Sequence, residues 1–298
     1  MPEGHIVHAD ARRFTAAMVG RTVRATSPQG RFADGAARLD GRTMEAAQAY
    51  GKHLFLRFSG SGRGAVPYLH VHLGLIGAWS WWDATGAQTA GRPVATSDAN
   101  VRLRLAVPGG PSADLRAVMT CTILDEQSVD KVLSTLGPDP IPLAESALQS
   151  ASPTEGALQP INDGAAAGER VRRSGKAIGT LLLDQSVVAG AGLIWRCEAP
   201  FLARISPHRP GRDITTDEWT TLWHELSRIM RDAVDWGGPA DAPAPTDGHR
   251  TLADTFHVFR RDGQPCRLCG TPIRVAPLDA RKVWWCPHHQ PHPIPQVG

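Results

Sequence analysis

Two groups of residues, at opposite ends of this chain, have the types and spacing to do chemistry. The first is Met1-Pro2-Glu3-Gly4-His5. An initiator methionine is normally removed before proline, so the mature chain is expected to begin with the secondary amine of Pro2. A terminal amine titrates near ~8, which leaves a useful fraction unprotonated at neutral pH. Such an amine attacks the anomeric carbon of a sugar and forms an iminium, the covalent catalysis otherwise associated with lysine. Glu3 stands one residue away, where a carboxyl group can give the sugar a proton or remove one. On these five residues alone, a processed terminus and a solvated charge are the plainer explanation; the far end of the chain changes that balance.

There, Cys266-Arg267-Leu268-Cys269 and Cys286-Pro287-His288-His289 are separated by 16 residues. Two knuckles so spaced supply thiolates and an imidazole for a tetrahedral Zn2+. The expected ligands are Cys266, Cys269, Cys286 and His289, with His288 as the alternative to His289. With all four positions filled by protein, the zinc is expected to be structural. Arg281, between the knuckles, is the group such a hairpin would present, with Trp284 and Trp285 packed at its base. Five cysteines in all point to a reducing compartment rather than a disulfide framework. Cys121 and Cys197, in apolar surroundings, read as small buried hydrophobes.

These groups need elements to position them. At 298 residues, 42% hydrophobic and 20% charged, the chain is long enough for two or three domains with a real core. It has no run of 18 apolar residues, so no membrane span is expected, and its start lacks a basic region followed by an apolar core, so secretion is not expected. The net charge is only +3, yet Arg260, Arg261, Arg267, Arg274, Arg281 and Lys282 face only Asp262 and Asp279. A surface of that kind suits phosphate.

Residues 5–19 carry a helical apolar pattern, stopped by Gly20. Segments 22–26, 54–58, 68–73 and 101–105 are short and strand-like, several with period-two alternation, which predicts a β-sandwich or barrel of roughly 130 residues. A helix over 125–136 ends at Gly137-Pro138-Asp139-Pro140. Residues 141–168 read as a linker containing at most a short helix. Helices follow at 176–183, 193–198 and 216–236, the last capped by Thr215 or Thr216. After a Pro- and Ala-rich loop, the final 40 or so residues are too few for a core of their own.

The ordered set Met1-Pro2-Glu3-Gly4, Gly51-Lys52-His53, Leu136-Gly137-Pro138-Asp139-Pro140, Leu183-Asp184-Gln185-Ser186-Val187-Val188-Ala189-Gly190 and the two knuckles resembles the formamidopyrimidine-DNA glycosylase and endonuclease VIII family over nearly the whole chain. Pro2-Glu3-Gly4 and Gly77-Ala78-Trp79 are more similar to the endonuclease VIII branch, including its actinobacterial members. The resemblance implies an α+β multidomain fold: an N-terminal β-sandwich domain with an N-terminal helix (1–140), a linker (141–168), a helix-two-turn-helix domain (169–250) and a zinc ribbon (255–298), clamping duplex DNA.

By position in that resemblance, Pro2 is the Schiff-base nucleophile and Glu3 the acid/base, while Lys52 contacts phosphate beside the damaged nucleotide. Arg281 grips the phosphates of the flipped nucleotide. Leu75 and Arg116 fall near the residues that fill the hole left by the flipped base. The implied function is a bifunctional base-excision repair glycosylase and abasic-site lyase acting on oxidised bases, pyrimidines favoured. It would use β- and δ-elimination, with no redox cofactor or catalytic metal. A bacterial, nucleoid-associated cytoplasmic monomer is expected.

Two departures stand out. The family usually writes the turn as Gly-x-Gly-Asn, but here it is Gly190-Ala191-Gly192-Leu193, and leucine cannot give the asparagine's hydrogen bond to phosphate; that contact is lost unless backbone N–H groups or Lys176 compensate. Arg116-Ala117-Val118 lacks the aromatic that formamidopyrimidine-DNA glycosylases place after their arginine. The Leu193 change, with the Trp-rich Trp79-Ser80-Trp81-Trp82 segment, leaves open a glycosylase specialised for bulky or crosslinked adducts, and a lesion-binding protein with weakened catalysis is the other alternative.

Overall fold

The computed structural model describes residues 2–60, 67–91, 98–141, 164–235 and 256–291. They fall into two compact units, one running through Thr135 and the other beginning at Leu136.

The first unit starts with helix α1 (Gly4–Met18), whose Ile6, Val7, Phe14 and Met18 are buried. Glu3 is its N-cap, with an extended backbone, and its carbonyl accepts the Ile6 N–H at 3.0 Å. The helix ends because Val19 is extended and Gly20 takes φ +80°, a conformation that strains any other residue. After β1 (Arg24–Thr26) and the short α2 (Ala33–Leu39) come β2 (Met44–Tyr50), β3 (His53–Phe58), β4 (Tyr68–His72), β5 (Ala78–Trp82), β6 (Gln88–Ala90), β7 (Val101–Ala106), β8 (Ser112–Arg116) and β9 (Thr120–Leu124). They form two antiparallel sheets, ordered β1-β7-β8-β5-β6 and β2-β3-β4-β9. The expected sandwich is thus present. Its core joins Leu54, Leu56, Leu69 and Val71 of one sheet to Leu103, Leu105, Ala113 and Leu115 of the other. Phe14 of α1 packs into it, edge-on to Trp79 at 4.8 Å and tilted on Trp81 at 4.5 Å. Helix α3 (Glu126–Leu133) closes the unit, its first turn capped by Asp125 accepting from the Ser128 N–H.

Sequence patterning shows four of these strands and misses the other five. Ala-rich β2 (MEAAQAY) lacks the branched residues that mark strands and is fixed by pairing with β3. Cys121, expected buried, is only partly so in β9, where it packs against the core.

The second unit contains α4 (Gly164–Arg172), α5 (Ile178–Leu181), α6 (Trp195–Leu202), α7 (Thr216–Asp235) and a hairpin of β10 (Arg274–Leu278) and β11 (Arg281–Trp285). Helix α4 starts five residues inside the expected linker, whose residues 142–163 lie outside the described ones. The helix expected over 176–183 is only the single turn α5, which leaves Lys176 outside it. Helix α7 opens with a capping box: Thr215 Oγ1 accepts from the Glu218 N–H, and Glu218 Oε2 accepts from the Thr215 N–H. Leu136 to Pro140, expected to end the first domain, lies with this unit, where the Gly137 N–H donates to Gln185 O and Pro138 O accepts from the Ala189 N–H.

Three buried side chains tie the C-terminal segment that carries the hairpin to α6 and the turn that follows it. Glu198 accepts the backbone N–H groups of His257, Val258 and Phe259 at 2.8–2.9 Å. Arg196, fully buried, donates to the carbonyls of Arg281 and Lys282 at 2.9 and 2.8 Å. Gln290 donates to Ile205 O and accepts from the Cys286 N–H, both at 2.9 Å. No helix among the described residues is long and apolar enough to cross a membrane.

Candidate active site and metal centre

At the amino terminus, Pro2 is half-buried ahead of α1, and Glu3 is fully buried. A carboxylate at a helix N-cap lies at the positive end of the helix dipole. Two residues further, His5 is also fully buried. Burial, then His8 and the chain's amino terminus, push its pKa down to about 3, so the ring is neutral at physiological pH.

Lys52 lies in the turn between β2 and β3, after Gly51 at φ +58°. His53 and His72 are direct cross-strand partners, with His70 diagonal to them. His53 Nδ1 and His70 Nε2 are 2.8 Å apart, and the rings of the three histidines touch. Burial is the main cause that lowers all three, His53 to about 3 and His70 to about 4, so Lys52 stands beside a neutral imidazole cluster. His72 Nδ1 accepts from the Gly74 N–H at 3.2 Å, which assigns its proton to Nε2.

From that end of β4 the chain enters a loop with two bare apolar side chains, Leu75 (64% exposed) and Ile76 (69%). Met119 (67%), in the turn between β8 and β9, joins them. Its N–H donates to His72 O at 3.2 Å, and its Cβ would lie 2.8 Å from a Cβ on Gly74, so only glycine permits the approach. Arg116 ends β8 just before this turn, and Ala117 takes the left-handed φ +49° that brings the chain round.

In the second unit, the sulfurs of Cys266, Cys269 and Cys286 lie within 4.8 Å of one another, with Cys269 and Cys286 3.4 Å apart. The donor set fits a metal: three soft sulfurs converge, and Cys286 Sγ accepts the His289 N–H at 3.3 Å, as a knuckle thiolate does. Neither histidine adds a nitrogen to the group. His289 rests its ring on Phe201 at 4.6 Å, and His288 is exposed. Arg281 and Lys282 are exposed at the start of β11. Trp284 is buried and donates to Asp262, and Trp285 meets the edge of His208.

Residues 1–118 match the formamidopyrimidine-DNA glycosylase N-terminal domain, and residues 156–241 match the formamidopyrimidine-DNA glycosylase H2TH domain. Endonuclease 8 1 of Mycobacterium tuberculosis is 37% identical over 303 aligned positions, covering 96% of this chain and 98% of the relative. The chain belongs to the formamidopyrimidine-DNA glycosylase and endonuclease VIII family. Formamidopyrimidine-DNA glycosylase of Geobacter sulfurreducens is 28% identical, covering 84% of this chain and 83% of its own. The fold agrees with that of Lactococcus lactis Fpg, solved with abasic-site DNA, at TM-score 0.73, 20% identity, and coverage of 97% of this chain and all of that one. This family member is an enzyme of DNA repair, in the class of DNA glycosylases and abasic-site lyases.

Within this glycosylase, Lys52 and Leu75 lie at the same end of one sheet, since His53 pairs with His72. Lys176 is exposed and Leu193 half-buried at the turn into α6, where it offers only its carbonyl, to the Cys197 thiol. Sequence reasoning missed His72, Ile76 and Met119. The alternation in Tyr68-Leu69-His70-Val71-His72 did place both histidines on one face, but only the fold brings Met119 to Gly74.

Proposed function

We propose that this enzyme excises damaged bases from duplex DNA, oxidised pyrimidines favoured, and cleaves the resulting abasic site through a Schiff base on Pro2. The reading rests above all on Pro2 preceding a buried Glu3 at the head of α1, which fixes an otherwise loose terminus. The Pro2 nitrogen attacks C1′, the C1′–base bond breaks, and the base leaves with a proton that Glu3 supports. The nitrogen then gives up its own proton, and its lone pair opens the C1′–O4′ bond, which leaves the iminium at C1′ while O4′ takes a proton and stays on C4′ as a hydroxyl. That cation acidifies the C2′ proton, its removal expels the 3′ phosphate, and a second elimination expels the 5′ phosphate.

To reach C1′ the nucleotide must leave the stack, at a cost of about a few kcal/mol that is smaller for damaged bases. Leu75, Ile76 and Met119 form an apolar tip suited to hold the gap, with Arg116 beside them for the orphaned base. Lys52 and the Nε2–H of His72 are donors suited to phosphate, and so are Lys176 and Arg281 in the second unit. Cys266, Cys269 and Cys286 would hold a structural zinc, with His289 completing the set after its ring turns from Phe201.

Borohydride trapping on duplex DNA with an abasic site tests the proposal. A covalent adduct is expected with the native chain and should vanish with Pro2→Gly or with one extra residue before Pro2. Binding without any adduct would replace this reading with that of a lesion-binding protein.

A further inference from the structure

We infer that Asp114 is a positioning residue for Arg116, and that the charge ladder Asp98–Arg104–Asp114–Arg116 sets how strictly the enzyme reads the base opposite a lesion. This rests on the reading of Arg116 given above.

Asp114 lies in the middle of β8, the central strand of its sheet. Ala113 and Leu115 point into the core, so Asp114 and Arg116 share the opposite face. A carboxylate with no exposed surface must be compensated. Arg104, its direct partner on β7, does so with two bonds, Nε to Oδ1 at 2.6 Å and Nη2 to Oδ2 at 2.8 Å. Arg116 Nη2 reaches the same Oδ2 at 3.0 Å. At the outer end, Arg104 Nη2 bonds Asp98 Oδ1 at 2.7 Å. The signs therefore alternate from solvent inward: Asp98 steadies Arg104, Arg104 locks Asp114, and Asp114 holds one corner of the Arg116 guanidinium.

Arg116 is only 12% exposed at its side chain, and the strand turns away immediately after it at Ala117. A guanidinium held in this way meets a base edge in one plane. It only donates, so it favours an edge with two adjacent acceptors, such as N3 and O2 of cytosine, over adenine. A loose arginine would adapt to several edges and discriminate less.

The test is kcat/KM on duplexes carrying one lesion opposite cytosine or adenine, for the native enzyme, Asp114→Asn, Arg116→Ala and the double variant, with thermal unfolding measured alongside. Asp114→Asn is expected to lower the cytosine-to-adenine ratio about tenfold, the worth of one charge-assisted hydrogen bond. It should have no further effect on the ratio once Arg116 is alanine. Arg104→Lys, which keeps the charge but loses the fork, should lower the ratio partially and decides the matter if Asp114→Asn fails to fold. A ratio that falls with Arg116→Ala but stays native in Asp114→Asn, or that falls equally with and without Arg116, overturns the inference and leaves Asp114 a purely structural residue. A native ratio in Arg116→Ala overturns the underlying reading of Arg116, and the inference with it.

Discussion

Four histidines of the first unit are held neutral chiefly by burial: His5 and His53 with pKa pushed down to about 3, His70 to about 4, and His72 lowered. In the unfolded chain each titrates near ~6.5. Between those values the unfolded chain binds more protons than the native one, so stability rises with pH there. The contribution is whole above about 6.5 and drains away as pH falls toward the folded values. The melting temperature of the native protein should therefore drop steeply from about pH 6.5 to 4, and His53→Gln/His70→Gln should flatten that slope. Parallel slopes, measured by circular dichroism at each pH, would show that these rings are not the cause. Pro2, Glu3, Lys52 and Arg281 stand out in the sequence as candidates because short motifs carry them. Asp114 and Met119 were not, because their partners Arg104 and Gly74 meet them only through strand pairing and loop packing.

At the level of elements, legibility followed local pattern. Helices α1 and α7 have apolar stripes at helical spacing and stop or start signals, and both were found within a residue or two. Strands β2, β5, β8 and β9 are specified by their neighbours, which a single sequence does not reveal. The β10–β11 hairpin is legible for another reason: it buries little of its own, so cysteine spacing marks it. Its anchors, Glu198, Arg196 and Gln290, grip mainly backbone groups, with the His257 ring on Glu198 the side-chain exception, and would hold poorly if the knuckles opened. A metal worth about 10–16 kcal/mol to a small finger should decide whether they remain closed. Strong chelation should release one zinc per chain, change the fluorescence of Trp284 and Trp285, and weaken binding to abasic-site DNA more than tenfold, with strand content in the first unit retained. Undiminished binding after the metal is gone would refute the role given to this hairpin.

For the molecule as a whole, a net charge of +3 gives little long-range attraction, so affinity for DNA must come from local groups. The order of motifs along the chain made the family legible, but the charge total did not announce a DNA-binding protein. The cations assigned to phosphate are Lys52 in the first unit, and Lys176 and Arg281 in the second, with Arg260, Arg267, Arg274 and Lys282 exposed around Arg281 in the same C-terminal stretch. Each phosphate neutralised releases counterion and steepens the fall of log K with log salt by about 0.9. Arg281→Ala and Lys52→Ala should therefore each reduce the slope by about 1 and weaken all sequences alike. Arg116→Ala should leave the slope unchanged, since it is assigned to a base edge rather than a phosphate. Titrations of labelled abasic-site duplex across about 50–200 mM salt separate the two classes. A native slope in Arg281→Ala would remove that residue from the phosphate contacts, whereas a reduced slope in Arg116→Ala would move it among them.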